Sequence, residues 1–196
     1  MMTLSDLRGT RVATLLRVAL GACLVTGAGC TSMSTPSTAS TGAMSTSAPS
    51  PDPRIGLRAG VTDAAEASWN LRIISRTPPR DRFAGSINSD LAFSGPYAIQ
   101  GSFNGYQVWD ISTPAAPTLR TSYYCPASQS DVSVYRHLLF VSGEDLGARL
   151  DCGGQGVQDT VSADRLRGLR IFDISDIARP RNVGNVQTCR GSHTHT

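Results

Sequence analysis

One sequence pattern occurs twice in this chain, and it limits the fold more than any other feature. Ser89–Phe93 (SDLAF) aligns with Ser130–Val134 (SDVSV), and Tyr106–Ser112 (YQVWDIS) aligns with Leu169–Ser175 (LRIFDIS). In both copies, short apolar runs alternate with Gly, Pro, Asn and Asp, which is typical of antiparallel strands joined by turns. A repeated unit of four short strands is the signature of a β-propeller blade. The sequence therefore predicts an all-β fold of propeller-like blades.

The repeat also predicts the limits of the blades. The first blade covers about residues 89–129 and the second about 130–191, with an insertion from Gly143 to Gly168 in the second. A third unit begins at Ser192, four residues before the last residue of the chain. About two blades cannot close a ring of roughly four to eight blades. We therefore expect an incomplete ring and a C-terminally truncated product.

Local signals refine this expectation. Asn104-Gly105 is a hairpin signal between two apolar runs. The segment Trp69–Arg76 (WNLRIISR) has the composition of a strand, so we expect it to be the outer strand that would close the ring against a missing last blade. Asp110 and Asp173 each precede Ile-Ser and a loop that ends in Pro. A carboxylate at such a place is expected to accept backbone N–H groups in an Asx-type turn.

Residues 1–29 have the composition of a bacterial lipoprotein signal peptide. Three arginines precede the apolar run Val18–Val25, which is too short to span a bilayer, and small residues lead into Cys30. Small residues directly before a cysteine resemble the lipobox, in which that cysteine is acylated and becomes the first mature residue. We therefore expect Cys30 to carry the lipid, palmitate among its acyl chains.

Two alternatives to acylation at Cys30 remain. Cys23 follows a better local string, Leu20-Gly21-Ala22, but Arg17 would then leave almost no apolar run before it. Ordinary secretion with cleavage near Ala28 would give an exported protein without a lipid. The pattern as a whole favours Cys30.

Residues 30–53 have the composition of a disordered linker. They are almost entirely Ser, Thr, Ala, Pro and Gly, which cannot bury enough apolar surface to fold. A coil of this length spans about 26 Å. We therefore expect residues 54–196 to form a partial propeller tethered to the cell membrane or the outer membrane. The domain would lie in the periplasm or at the cell surface.

The charge of the chain argues against nucleic acid as a partner. The formal net charge is +3, and the chain contains no lysine. Removing the three arginines and one acid upstream of Cys30 leaves 15 arginines against 14 acids. A nearly neutral domain has no basic patch with which to hold phosphates.

The strings QVWDIS and RIFDIS, each followed by a short loop that ends in Pro, resemble the LVIVD repeat of bacterial extracytoplasmic proteins. Residues 130–142, 149–176 and 187–196 are similar to a lipoprotein-like subgroup of these proteins, and the resemblance covers about residues 52–196. It implies a β-propeller and supplies no activity. The chain departs from the subgroup in a shortened Pro-rich stretch at Thr77–Phe83.

Three cysteines lie beyond Cys30, and export permits disulfides among them. Cys125 and Cys189 occupy matching positions of the two blades, whereas Cys152 lies in the insertion. We expect one disulfide that joins Cys152 to one of the other two, and the sequence leaves the pair open. The chain has no CxxC motif, which argues against a zinc knuckle.

His193 and His195 are candidate metal ligands, because positions i and i+2 of a strand share a face. Asp90 and Asp131 are repeat-equivalent to His193, so the four groups are expected to converge at the start of the inner strands. The simpler interpretation is that these side chains cap turns and bond backbone amides.

No catalytic constellation stands out in the sequence. It contains no G-x-S-x-G, and Gly153-Gly154-Gln155-Gly156 lacks the lysine of a P-loop. The sequence favours a non-enzymatic binding or scaffold module without a cofactor, which holds a protein, glycan or small-molecule ligand on its loops. The polar insertion is one candidate surface. The alternatives are a propeller enzyme with a divalent metal on the Asp and His residues above, and a nonfunctional remnant.

Overall fold

A computed structural model describes residues 44–196 of the chain, and the regular secondary structure in this part is almost entirely β. One short 3₁₀ turn, Asp81–Phe83, precedes the strands. The eight strands are β1 (Asn88–Ser94), β2 (Tyr97–Ser102), β3 (Gly105–Asp110), β4 (Thr118–Tyr124), β5 (Val132–Tyr135), β6 (Leu138–Gly143), β7 (Gly168–Asp173) and β8 (Arg181–Gln187).

The strands form two four-stranded antiparallel sheets, each with its strands in sequence order. Blade 1 contains β1 to β4 and blade 2 contains β5 to β8. The two sheets even share an irregularity. The ladder between the third and fourth strands shifts register between Val108 and Trp109 in blade 1, and between Ile171 and Phe172 in blade 2. The prediction of an all-β fold with four-stranded blades is confirmed.

The main core lies between the two blades. Ile99, Tyr106 and Val108 of blade 1 face Leu139 and Phe172 of blade 2, and none of these five side chains is exposed. The rings of Tyr106 and Phe172 meet edge to face, with centroids 5.2 Å apart. Burial of such side chains contributes about 1.5–3 kcal/mol each. The packing of one blade on the other therefore supplies much of the stability of the fold.

The prediction of an outer strand at Trp69–Arg76 is wrong, because these residues form no strand. This segment is irregular and mostly exposed, with Leu71 at 80% and Ile73 at 57%. Strand composition becomes a strand only when a neighbouring edge supplies the other half of the ladder. Among residues 44–196, no strand edge pairs with this segment. Its hydroxyl contact is Ser75 Oγ, which donates to the carbonyl of Pro114.

The predicted hairpin is present, but its turn lies one residue earlier than the Asn-Gly signal suggests. Ser102 pairs with Gly105, so Phe103 and Asn104 form the two-residue turn. Gly105 is already the first residue of β3, at a φ of 126°. The glycine is therefore needed for the entry into the strand.

The expectations for the signal peptide and for acylation at Cys30 concern residues outside the described part. Of the expected linker, residues 44–53 are described, and they form no helix or strand. Within residues 44–196, no helix has the length and apolar character needed to cross a membrane.

Candidate functional site

The two aspartates proposed as ligands lie on neighbouring inner strands. Asp90 belongs to β1, and Asp131 directly precedes β5, which packs beside β1. Asp90 Oδ1 accepts a hydrogen bond of 2.7 Å from the backbone N–H of Leu91. Burial and the nearby charge of Asp90 raise the pKa of Asp131 above its ordinary value. The two carboxylates are thus close enough to repel each other.

The two histidines lie against blade 2. His193 Nδ1 is 2.8 Å from Glu144 Oε1, and its Nε2 is 3.1 Å from the amide nitrogen of Gln129. His195 Nε2 lies 2.8 Å from Ser133 Oγ, and its Nδ1 lies 2.8 Å from Ser142 Oγ. Burial lowers the pKa of His195, and the negative charges of Asp131 and Asp90 oppose that effect. The four proposed ligands, Asp90, Asp131, His193 and His195, therefore lie close enough for the charges of the aspartates and histidines to affect one another.

This group of four side chains does not have the geometry of a metal centre. Within residues 44–196, no three His, Cys, Asp or Glu side chains are grouped so that they could hold a metal ion. Both ring nitrogens of His195 contact serine hydroxyls instead. A histidine ligand needs one ring nitrogen free for the metal. The arrangement as it stands supports hydrogen bonding between the C-terminal residues and blade 2.

The disulfide joins Cys125 to Cys152, which are 27 positions apart along the chain. Cys125 directly follows β4 of blade 1, whereas Cys152 lies in the insertion of blade 2. Cys189 is an exposed free thiol. The structure thereby confirms one disulfide that pins the insertion, and it settles the pair that the sequence left open.

The insertion between β6 and β7 is held together by two arginines. Arg149 forms ion pairs with Asp151 at 2.7 Å and Asp164 at 3.4 Å. The hydrogen bonds from Arg149 and from the N–H of Gly153 lower the pKa of Asp151. Arg165 donates to the carbonyls of Leu146 and Thr160 at 2.7 Å. The loop is therefore an ordered structure with its own polar network.

A cleft of about 300 Å³ lies between the insertion and blade 1. One wall is the β2–β3 turn, with Phe103 and Asn104, and the opposite wall is the insertion around Asp145 and Gly154. The disulfide sits beside the cleft, because the residues after Cys125 form its floor. The full lining is Phe103, Asn104, Pro126, Ala127, Ser128, Asp145, Gly147, Ala148, Gly153, Gly154 and Gly156.

This cleft combines an aromatic ring, small apolar side chains and a few polar groups. Such a mixture is typical of sites for small ligands, which occupy roughly 300–1,000 Å³. The sequence pointed to the insertion as a binding surface, but it did not single out Phe103 or Asn104. The sequence predicts only a hairpin at their turn, and nothing in it indicates that a loop from the other blade lies opposite.

On the same face of β7 as Phe172, Arg170 is a buried cation, exposed to only 1%. Its Nη2 donates to the carbonyl of Arg149 at 2.8 Å, whereas Nε and Nη1 have no protein partner. Burial lowers the pKa of Arg170 to about 10. The repeat-equivalent residue, Gln107, is also buried, and its Oε1 lacks a partner. The same strand position thus carries an incompletely bonded polar group in both blades.

Comparison with known families gives one result. Residues 85–124 and 163–188 match the LVIVD repeat. The first stretch covers β1 to β4, and the second covers β7 and β8 but not β5, β6 or most of the insertion. No curated protein matches the chain, and no solved structure matches it.

Proposed function

This chain carries two LVIVD repeats, and from this premise we propose that it is a membrane-tethered extracytoplasmic binding module. The observation that carries the binding role is the cleft between Phe103 and the insertion, walled on one side by a loop that a disulfide fixes in place. A pre-formed cleft costs little ordering on binding, so a small ligand can be held by few contacts. The ligand class that fits this cleft is a small molecule or a short glycan or peptide unit.

Two features support the extracytoplasmic location. The Cys125–Cys152 disulfide is of the kind that forms and persists in oxidising compartments. The N-terminal sequence, with arginines before a short apolar run and Cys30, has the pattern of a lipoprotein signal. Acylation with more than one chain would give durable anchoring, at about 0.8 kcal/mol for each buried methylene.

The tether is tested by cell fractionation and labelling with palmitate. The wild-type chain is expected in the membrane fraction with incorporated label. Cys30→Ser is expected to abolish both the membrane association and the incorporation of label. Cys23→Ser is the matched control and should leave both unchanged. If Cys23→Ser removes the label while Cys30→Ser does not, the site of acylation is wrong. If neither variant changes the fractionation, the lipid tether itself is wrong.

The binding role is tested by saturation-transfer NMR with a panel of monosaccharides, disaccharides and dipeptides. We expect at least one probe to bind, and Phe103→Ala to reduce its affinity about tenfold or more, because it removes the apolar wall of the cleft. Phe93→Ala is the control, since Phe93 is an exposed ring on β1 outside the cleft. Absence of binding by every probe, or equal loss in both variants, would contradict a ligand site here.

A further inference from the structure

The inner strands of the two blades have the same sequence pattern but different exposure. In blade 2, Val132 is exposed to only 4%, and Val134 packs against the core between the blades. Their repeat equivalents in blade 1 are Leu91 and Phe93, which are exposed to 52% and 61%. Within residues 44–196, the face of β1 that carries these two side chains thus lacks the neighbour that the same face of β5 has.

The opposite situation occurs on blade 2, where residues 192–196, here called the strap, cover part of its outward face. Ser192 donates from its backbone N–H to the carbonyl of Gly143 at 3.1 Å. Its hydroxyl lies 3.0 Å from the hydroxyl of Ser142. His193 adds its contact with Glu144.

The strap begins at the position of blade 2 that corresponds to the position of blade 1 contacted by the start of β5. Ser192 is repeat-equivalent to Ser130, and Ser142 is repeat-equivalent to Gly101. The backbone of Ser130 lies so close to Gly101 that a side chain at position 101 would collide with the Ser130 carbonyl. The same pair of repeat positions therefore makes contact in both places, but in different ways. Ser142 carries a side chain where blade 1 has Gly101, and Ser192 meets it through its hydroxyl.

His195 completes this cover. Its ring contacts Ser133 and Ser142 and meets the ring of Phe140 edge to face, at 6.4 Å between centroids. Phe140 is repeat-equivalent to Ile99, which is fully buried between the blades. The strap thus shields the position of blade 2 that is equivalent to the position at which blade 1 packs against its neighbour.

We propose that the strap keeps a second copy of this chain from docking its β1 on the outward face of blade 2. This inference goes beyond the binding role, because it concerns association between copies and does not depend on a ligand. The second copy is the occupant that fits, because β1 carries Ser89-Asp90, the equivalent of Ser192-His193, and its apolar side chains Leu91 and Phe93 are more than half exposed in the described part of the chain.

Such a contact joins two different faces, blade 2 of one copy and blade 1 of the next. Heterologous contacts of this kind continue from copy to copy until a ring closes. Protecting an open strand or face is a known requirement for β proteins that must not self-associate. The strap supplies that protection with hydrogen bonds to serine hydroxyls and one backbone bond.

The experiment compares the size of full-length variants by analytical ultracentrifugation across the micromolar range. All carry Cys30→Ser, so that acylation and micelles do not obscure the mass. The parent is expected to be monomeric. Ser192→Pro with His195→Asp removes the backbone bond to Gly143 and places a carboxylate near Asp131, which should release the strap and give assemblies. His195→Asp alone, which leaves the backbone unchanged, should shift the association in the same direction.

Two further variants identify the docking face. Adding Phe93→Asp to the strap-released chain is expected to restore the monomer, whereas Val161→Asp, at an exposed residue of the insertion, should leave the assemblies intact. Mixing the strap-released Phe93→Asp chain with the parent should give a one-to-one dimer and nothing larger. An assembled parent, a monomeric strap-released chain, or a mixture without this dimer would each overturn the proposal.

Discussion

At the scale of single residues, Asp173 shows how the repeat secures its third strand. Asp173 Oδ1 accepts from the N–H of Ser175 at 2.9 Å, and Asp110 Oδ1 accepts from the N–H of Ser112 at 3.0 Å. The Asx-type turns that the sequence predicted at these two positions are therefore confirmed. Asp173 has a second partner, Arg181, at 2.8 Å. A carboxylate held by such donors favours its charged form.

This geometry predicts a loss of stability in acid. The hydrogen bonds from Ser175, and then the contact with Arg181, lower the pKa of Asp173 to about 2 from an ordinary value of 3.8. Because the pKa is lower in the folded state, the stabilisation is complete above about pH 4 and disappears as the pH falls through about 2. Asp173→Asn should therefore show a smaller fall in Tm between pH 5 and pH 2 than the parent. Asp159→Asn, at an exposed residue of the insertion, should behave as the parent does.

The buried guanidinium of Arg170 leads to a second prediction at this scale. It is buried with one hydrogen bond and two unsatisfied nitrogens, so its desolvation is only partly compensated. Arg170→Met keeps the length of the side chain and removes the charge. We expect the free energy of unfolding in urea to fall by no more than about 1 kcal/mol, or to rise. Phe172→Ala, two residues along β7, should cost about 3–5 kcal/mol. A loss of that size in Arg170→Met would contradict the incomplete bonding.

At the scale of elements, the entry into the third strand of each blade requires a glycine. Gly105 and Gly168 have φ angles of 126° and 145°, which residues with a side chain rarely adopt. A Cβ at Gly105 would collide with the carbonyl of Tyr123, and one at Gly168 with the carbonyl of Val186. Both obstacles are backbone atoms of the fourth strand, so neither can turn aside.

Gly105→Ala and Gly168→Ala are therefore expected to destabilise the protein by about 2 kcal/mol or more each, from backbone strain and the approach to the neighbouring strand. Gly184→Ala is the control, because a Cβ there meets only Ile171 Cδ1 at 3.9 Å. Chemical denaturation of the three variants checks the expectation. Equal stability of Gly168→Ala and Gly184→Ala would be inconsistent with this account of the strand entry.

The elements were predictable where the sequence repeats and unpredictable where it does not. The alignment of the two copies predicts a unit of four strands in each, because alternation and turn residues act locally and occur twice. Trp69–Arg76 has equally good strand composition, yet it forms no ladder in the described chain. Composition reports the preference of one strand, whereas a ladder also needs an edge that only the tertiary structure supplies.

At the scale of the whole molecule, the cleft could not be predicted, because its two walls come from different blades. Phe103 belongs to a turn of blade 1, and Asp145 belongs to the insertion of blade 2. The position of Cys152 in the insertion indicates a bond that pins this loop, but Cys125 and Cys189 are equivalent by repeat. Spacing alone does not decide which of the two approaches the loop, since that depends on how one blade packs on the next.

The Cys125–Cys152 bond therefore fixes the relation between blade 1 and the insertion as well as closing a loop of the chain. For a separation of 27 residues, the loss of loop entropy in the unfolded state predicts about 3.5 kcal/mol of stabilisation. Cys125→Ala with Cys152→Ala should lower the free energy of unfolding by about that amount, and Cys189→Ser, at the exposed free thiol, should leave it unchanged. The double variant should also become sensitive to proteases within the insertion while blade 1 stays resistant. Loss of stability without new cleavage in the insertion would mean that the Arg149 and Arg165 networks hold this loop without the disulfide.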